Sequence, residues 1–170
     1  KHGKLVEAEQ LHRKALDTCA RTLGEEHPET LDSMSDMADL LWDRGRFDEA
    51  EEAARQALEA RRRILGEDAR DTMWSLLQVA SFVRDRGRPA EAEELSRRAV
   101  EIARNTYDAE DYALMYVEAE LAASLLAQGK FAEAAELYGG ARLPEDLGIE
   151  RWFQGETSVG PAGTTLFAMW

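Results

Sequence analysis

One stretch of this sequence returns at a fixed distance, and that limits its possible folds more than any other feature. GKLVEAEQLHRKAL begins at Gly3, GRFDEAEEAARQAL at Gly45, GRPAEAEELSRRAV at Gly87 and GKFAEAAELYGGAR at Gly129. The interval is 42 residues each time, without a slip. Such regularity marks a chain made from one supersecondary unit used several times. A single unit cannot bury both of its faces, so neighbouring units have to stack.

Each period contains two helical patterns. The first spans about Pro28–Arg44, then Asp71–Arg86, then Asp111–Gln128. Its apolar residues recur at helical spacing: Met34, Met37, Ala38 and Leu41; Leu76, Val79, Ala80 and Val83; Leu121, Ala122 and Leu125. Glu118 interrupts the third copy. Each of these A helices stops at the repeated Gly, which can take the left-handed conformation that ends a helix. Pro28 suits a first helical turn, where its missing N–H leaves no bond unmade.

The second pattern, helix B, starts two residues after the Gly. Alanine pairs Ala8 and Ala15, Ala50 and Ala57, Ala92 and Ala99, Ala134 and Ala141 stand seven apart on one face. They allow a neighbouring helix to approach closely, and Leu16, Leu58 and Val100 extend the face. The opposite face carries Arg and Glu, with i,i+4 pairs expected at Glu51–Arg55 and Glu94–Arg98. The EAE triplets on this helix read as a solvated surface. The helical period excludes a β-propeller repeat of similar length. The fold expected is all-α, a solenoid of antiparallel helix pairs.

The units resemble the tetratricopeptide repeat. Met37–Ala38, Leu41, Gly45, Phe47, Ala50 and Ala57 take that motif's large–small pair, third apolar residue, turn Gly, aromatic and two alanines. Val79–Ala80, Val83, Gly87, Ala92 and Ala99 match in the second copy, with Pro89 in place of the aromatic. Leu121–Ala122, Leu125, Gly129, Phe131, Ala134 and Ala141 match in the third. The usual period is about 34; the longer one here, with RTLGEEHPETL between units, looks like that of kinesin light chains. Arg21–Leu31 and Arg63–Met73 carry this linker, and Asn105–Met115 is a weaker copy. HEAT-type repeats are the alternative, but they lack the Gly–x–aromatic turn.

The resemblance implies a right-handed superhelix with the A helices along its concave face. By that register the peptide-binding positions are Asp32, Ser35, Asp39, Trp42 and Asp43; Trp74, Leu77, Ser81, Arg84 and Asp85; and Tyr116, Ala119, Ala123, Leu126 and Ala127. This surface grades from acidic to apolar, and its tryptophans are either binding anchors or packed on neighbouring helices. It does not fit the family's carboxylate clamp, which uses Asn and Lys where Ser35, Asp39 and Asp43 stand. The basic groove of kinesin light chains does not carry over either, with Arg84 as its only cation.

Composition sharpens the choice of partner. With 34 acidic and 21 basic residues the formal charge is −13, which disfavours nucleic acid and anionic membranes and favours basic or apolar proteins or peptides. No apolar run approaches the roughly 20 residues of a membrane span. The single cysteine, Cys19, suits a reducing, cytoplasmic setting. His12 and Cys19 share a helix face, but two ligands are too few for structural zinc. No phosphate loop or nucleophile motif occurs, so no enzyme, metal or cofactor is expected.

The expected domains are a repeat array over residues 1–143 and an irregular tail over 144–170. Gly139–Gly140 and Pro144 mark where helix formation should fail, since each interior Gly costs about 1 kcal/mol against Ala. The tail holds Trp152, Phe153, Leu166, Phe167, Met169 and Trp170. Glu145–Phe153 reads as a cap, Gly155–Gly163 as a linker, and Thr164–Trp170 as a segment that docks in a groove of its own chain or a neighbour. Two functions follow. The chain is an interaction scaffold binding a peptide or its own tail, or it is a structural or sensor arm of a larger signalling protein whose effector lies elsewhere.

Overall fold

The computed structural model describes residues 2–140, with side chains over residues 9–137. Its described residues form seven helices in sequence: α1 His2–Leu23, α2 Pro28–Asp43, α3 Phe47–Leu65, α4 Arg70–Asp85, α5 Pro89–Thr106, α6 Tyr112–Leu126 and α7 Phe131–Gly140. Helices α2, α4 and α6 are the A helices; α1, α3, α5 and α7 are the B helices. Each packs chiefly on its neighbours in the chain, and α4 also touches α6. This is the stacked solenoid that the repeat predicts. The expected cap, linker and docking segments lie outside the described residues, and the expected stop at Gly139–Gly140 falls at their limit.

The turns follow from the repeated Gly. Gly45, Gly87 and Gly129 have φ of 74°, 77° and 74°, the left-handed region that residues with a Cβ avoid. That reversal lets the N–H two residues into the turn reach back over the helix end. Arg46 N bonds Leu41 O at 2.9 Å, Arg88 N bonds Val83 O at 2.9 Å, and Lys130 N bonds Leu125 O at 3.0 Å. These are Schellman closures, which satisfy carbonyls a helix end leaves orphaned. In the linker between units, the Thr30 hydroxyl donates to Gly24 O and the Thr72 hydroxyl to Gly66 O, both at 2.8 Å. The third linker has Leu114 at the equivalent place. There Asp111 caps α6 instead, accepting from Ala113 N at 2.8 Å.

The predicted stripes form one continuous core. All the apolar A-helix residues named from the period are buried except Met34, which is half-buried. Ala50, Ala57, Ala92, Ala99 and Ala134 are completely covered, as close helix approach requires. Ala15 differs: it is exposed, because among the described residues α1 is covered mainly on the side of α2.

The charged side of helix B differs from the solvated face expected. The second Glu of each EAE triplet faces inward: Glu51 is 8% and Glu93 is 5% exposed. Each accepts from the turn of the following unit. Glu9 takes Arg44 and Arg46, the latter at 2.8 Å. Glu51 takes Arg86 at 2.9 Å and Arg88. Glu93 takes Gln128 at 2.5 Å and Lys130 at 2.6 Å. An arginine one turn along the same helix adds a third donor in each copy: Arg13 at 3.2 Å, Arg55 at 3.0 Å and Arg97 at 2.7 Å. A buried carboxylate is tolerated only with such donors, so the acidic residue has become an inter-unit clasp. The fourth copy has Ala135 and Gly139 at the corresponding places. Glu51–Arg55 is thus found as expected, whereas Arg98 turns from Glu94 to Glu101 and Asp68, at 2.9 and 2.6 Å.

The Glu51 carboxyl is held down to about 2 from its ordinary 4.5, first by the Arg88 hydrogen bond and then by Arg55, against the opposing effect of burial. A depressed carboxyl stabilises the fold fully above its ordinary value and loses that contribution as the pH falls through its folded one. Glu51→Gln is therefore expected to lower stability by about 1–2 kcal/mol at pH 7. In urea titrations the gap from the parent chain should close between pH 4.5 and 2; equal stability at pH 7 would remove the clasp from the account.

Candidate functional site

A cleft of about 400 Å³ opens on the A-helix side of the solenoid. Helix α2 contributes Asp32, Ser35 and Asp39; α4 contributes Asp71, Trp74, Ser75, Leu77, Gln78, Ser81 and Phe82; α6 contributes Tyr116; and α3 contributes Arg61. The A-helix register explains the convergence. Asp32, Trp74 and Tyr116 occupy one repeat position, as do Asp39 and Ser81, so residues a period apart are brought side by side by stacking.

Seven of the residues expected from sequence line this cleft: Asp32, Ser35, Asp39, Trp74, Leu77, Ser81 and Tyr116. Asp43, Ala119, Ala123 and Leu126 are not among its lining. Neither is Trp42, whose ring stacks on Phe82 with centroids 4.3 Å apart and planes 2° from parallel. Phe47 meets Trp42 edge-on at 4.7 Å. Trp42 therefore joins two units through an aromatic sandwich. Trp74, half-buried like Trp42, differs in its contact: it tilts against Tyr116 at 5.8 Å and 45° and gives the cleft an aromatic wall.

Arg84, the only cation expected in the groove, is engaged. It donates to Glu120 Oε1 at 2.6 Å and Asp85 Oδ1 at 3.0 Å. Glu120 is only 6% exposed. Burial alone would lower the Arg84 pKa, but the Glu120 hydrogen bond and charge outweigh it and raise it.

Two polar residues that the register did not identify organise the cleft. Arg61 comes from helix B, passes between two A helices and is 6% exposed. It donates to Ser35 Oγ at 2.9 Å, Ser75 Oγ at 2.5 Å and Asp32 Oδ1 at 2.5 Å. Its counterparts in the neighbouring copies are Cys19 and Ala103. A lone arginine on a stripe of small residues was the available signal, since a buried charge needs partners nearby. Gln78 is the other: its amide donates to Ser35 O at 2.9 Å and Asp39 Oδ1 at 2.8 Å, tying α4 to α2.

Asp39 stands open to solvent at the cleft mouth, yet the surrounding walls withdraw enough water to raise its pKa. Gln78 opposes that shift, and the like charges of Asp36 and Asp43 add to it. Burial also raises the Tyr116 phenol, with the Glu120 charge as the next cause. The cleft thus combines two aromatic rings, neutral donors and acceptors, and carboxylates.

An antiparallel helical-repeat solenoid with a side-chain-lined cleft along its A helices defines a class of repeat scaffold. The sequence matches the tetratricopeptide repeat over residues 2–63 and 71–141, and the chain belongs to that family. Among solved structures it is similar to a Podosopora anserina chain described as a kinesin light chain with nearly identical TPR-like repeats. The TM-score is 0.77 at 24% identity, over 91% of this chain and 81% of that one. A single-substitution variant of that protein gives the same values. BtubC (BKLC) from P. vanneervenii aligns with a TM-score of 0.74 at 20% identity, over 94% of this chain and 61% of that one. These likenesses concern the fold. No curated protein matches the sequence significantly.

The two tryptophans should separate on substitution. Trp42→Ala removes a stacked ring and is expected to cost about 3 kcal/mol. Trp74→Ala, at the edge of an open cleft, should cost roughly 1 kcal/mol. Equilibrium urea denaturation checks both, and equal losses would contradict the division of roles.

Proposed function

We propose that this chain is a protein-interaction scaffold that holds a peptide segment of a partner in the cleft between α2, α4 and α6. Tetratricopeptide repeats generally mediate protein–protein interaction, and no helix among the described residues is long and apolar enough to cross a membrane. The observation that carries the finer reading is Trp74. It is half-buried in the cleft wall and tilted against Tyr116 instead of stacked, and a rigid aromatic lining a cleft is a favoured binding anchor. Ser35, Gln78 and Ser81 supply polar groups along the same wall. With a single cysteine the chain suits a reducing compartment, and the reading includes a cytoplasmic setting.

The chain's own residues 164–170 are the competing occupant. They lie outside the described residues, and their side chains are uncharged. The acidic lining favours a partner segment that carries positive charge.

Panning a random peptide library against the full chain tests the reading. Selected peptides should lose roughly 30-fold in affinity against Trp74→Ala, as truncating an aromatic anchor does. If no selected peptide depends on Trp74 or Ser81, the cleft is not the binding site. Deleting residues 164–170 should leave these affinities unchanged; a rise would show that the tail had been the occupant.

A further inference from the structure

We propose that the cleft takes a cationic side chain, a lysine or arginine of the bound segment, seated against Trp74 and Tyr116 in the combined field of Asp39 and Asp71. This rests on the peptide-groove reading and names its anchor.

The charges around the cleft argue for it. Its lining holds three carboxylates, Asp32, Asp39 and Asp71, and one guanidinium, Arg61. Arg61 is matched by Asp32 at 2.5 Å. Asp39 and Asp71 remain, and no Lys, Arg or His among the described residues pairs with either; Asp71 lies in the first turn of α4, whose N-terminus offsets part of its charge, which leaves Asp39 the less compensated of the two. Asp39 receives only a neutral amide, from Gln78 at 2.8 Å. Arg84, the other cation on this face, is bound to Glu120 and Asp85. Loss of water raises the Asp39 pKa, and the like charges of Asp36 and Asp43 add to it against the Gln78 hydrogen bond.

The rings argue for the same occupant. Trp74 and Tyr116 meet at 5.8 Å and 45°, an angled wall rather than a closed stack. A cation within about 6 Å of such a ring is drawn to its face. An apolar segment would strip more water from Asp39 and return nothing, which is unfavourable. An anionic segment would be repelled outright. Only a cation answers both the carboxylates and the rings.

The test uses the full chain and two pairs of probes: the N-acetyl N-methylamides of lysine and arginine, and those of norleucine and citrulline as neutral counterparts. NMR titrations follow the Trp74 indole. The cationic probes are expected to bind about tenfold more tightly than their counterparts, with the preference shrinking as salt is added. In the double variant Asp39→Asn with Asp71→Asn, verified as folded by its thermal melt, the preference should disappear. Equal binding of cationic and neutral probes, no shift at Trp74, or a preference that survives the double variant would each overturn the proposal. The outcomes separate from those of the library. Trp74-dependent peptides without lysine or arginine would sink the cation site and leave the groove. Cation binding without any groove-dependent peptide would do the reverse.

Discussion

A carboxylate withdrawn from water is unfavourable unless donors surround it, and Glu51 and Glu93 make that rule the basis of the array. Each is almost fully covered, and each is satisfied by the turn of the next unit and by an arginine one helical turn away. A shift of one unit against the next would leave a buried charge unmatched. Apolar contacts between helices are tolerant of sliding; these bonds are not. The clasp therefore supplies register where the small side chains of Ala50, Ala57, Ala92 and Ala99 supply proximity. The Schellman closures at Gly45, Gly87 and Gly129 aim the basic residues of the turn at the acceptor, so turn geometry and ion pairing support one another.

The same register accounts for the cleft. Stacking places Asp32, Trp74 and Tyr116 in one row and Asp39 and Ser81 in another. Residues facing the core recur from copy to copy, whereas those facing the cleft differ in size, charge and aromaticity. The scaffold needs its alanines and turn glycines in each unit. The cleft positions are free of that demand, and a particular chemistry can be written on them without disturbing the stack.

Much of this was legible before any coordinates. The period gave the helix pairs and turn glycines, and the apolar spacing gave the core, because both are local and repeat. The resemblance to a known motif placed seven of the cleft residues. What escaped the reading were partnerships across units. Glu51 looks like any helix-surface glutamate, and its partners stand 35 and 37 residues further on. The trace was present in the matching period of Glu9, Glu51 and Glu93 with Arg-Gly-Arg or Gln-Gly-Lys turns, but a local window hides it. Trp42 and Trp74 are indistinguishable by type, and only Phe82, the counterpart of Leu40, makes one of them structural. Arg61 was obscured for the opposite reason: it is a single departure within a regular stripe, and a register built on the average unit passes over it.

The clasp also gives the array a direction. Glu9, Glu51 and Glu93 each offer an acceptor forward to the donors of the next turn, so a copied segment of residues 45–86 placed after Arg86 would find both of the clasp's needs met. Glu51 would meet Arg86 and the copied Arg46, and the copied Glu51 would meet the copied Arg86 and Arg88. The clasp is thus extensible in whole units, whereas the copied Arg61 would meet Trp74 and Leu77 in place of Asp32 and Ser35. An insertion of any other length would break the chain of acceptors at one place.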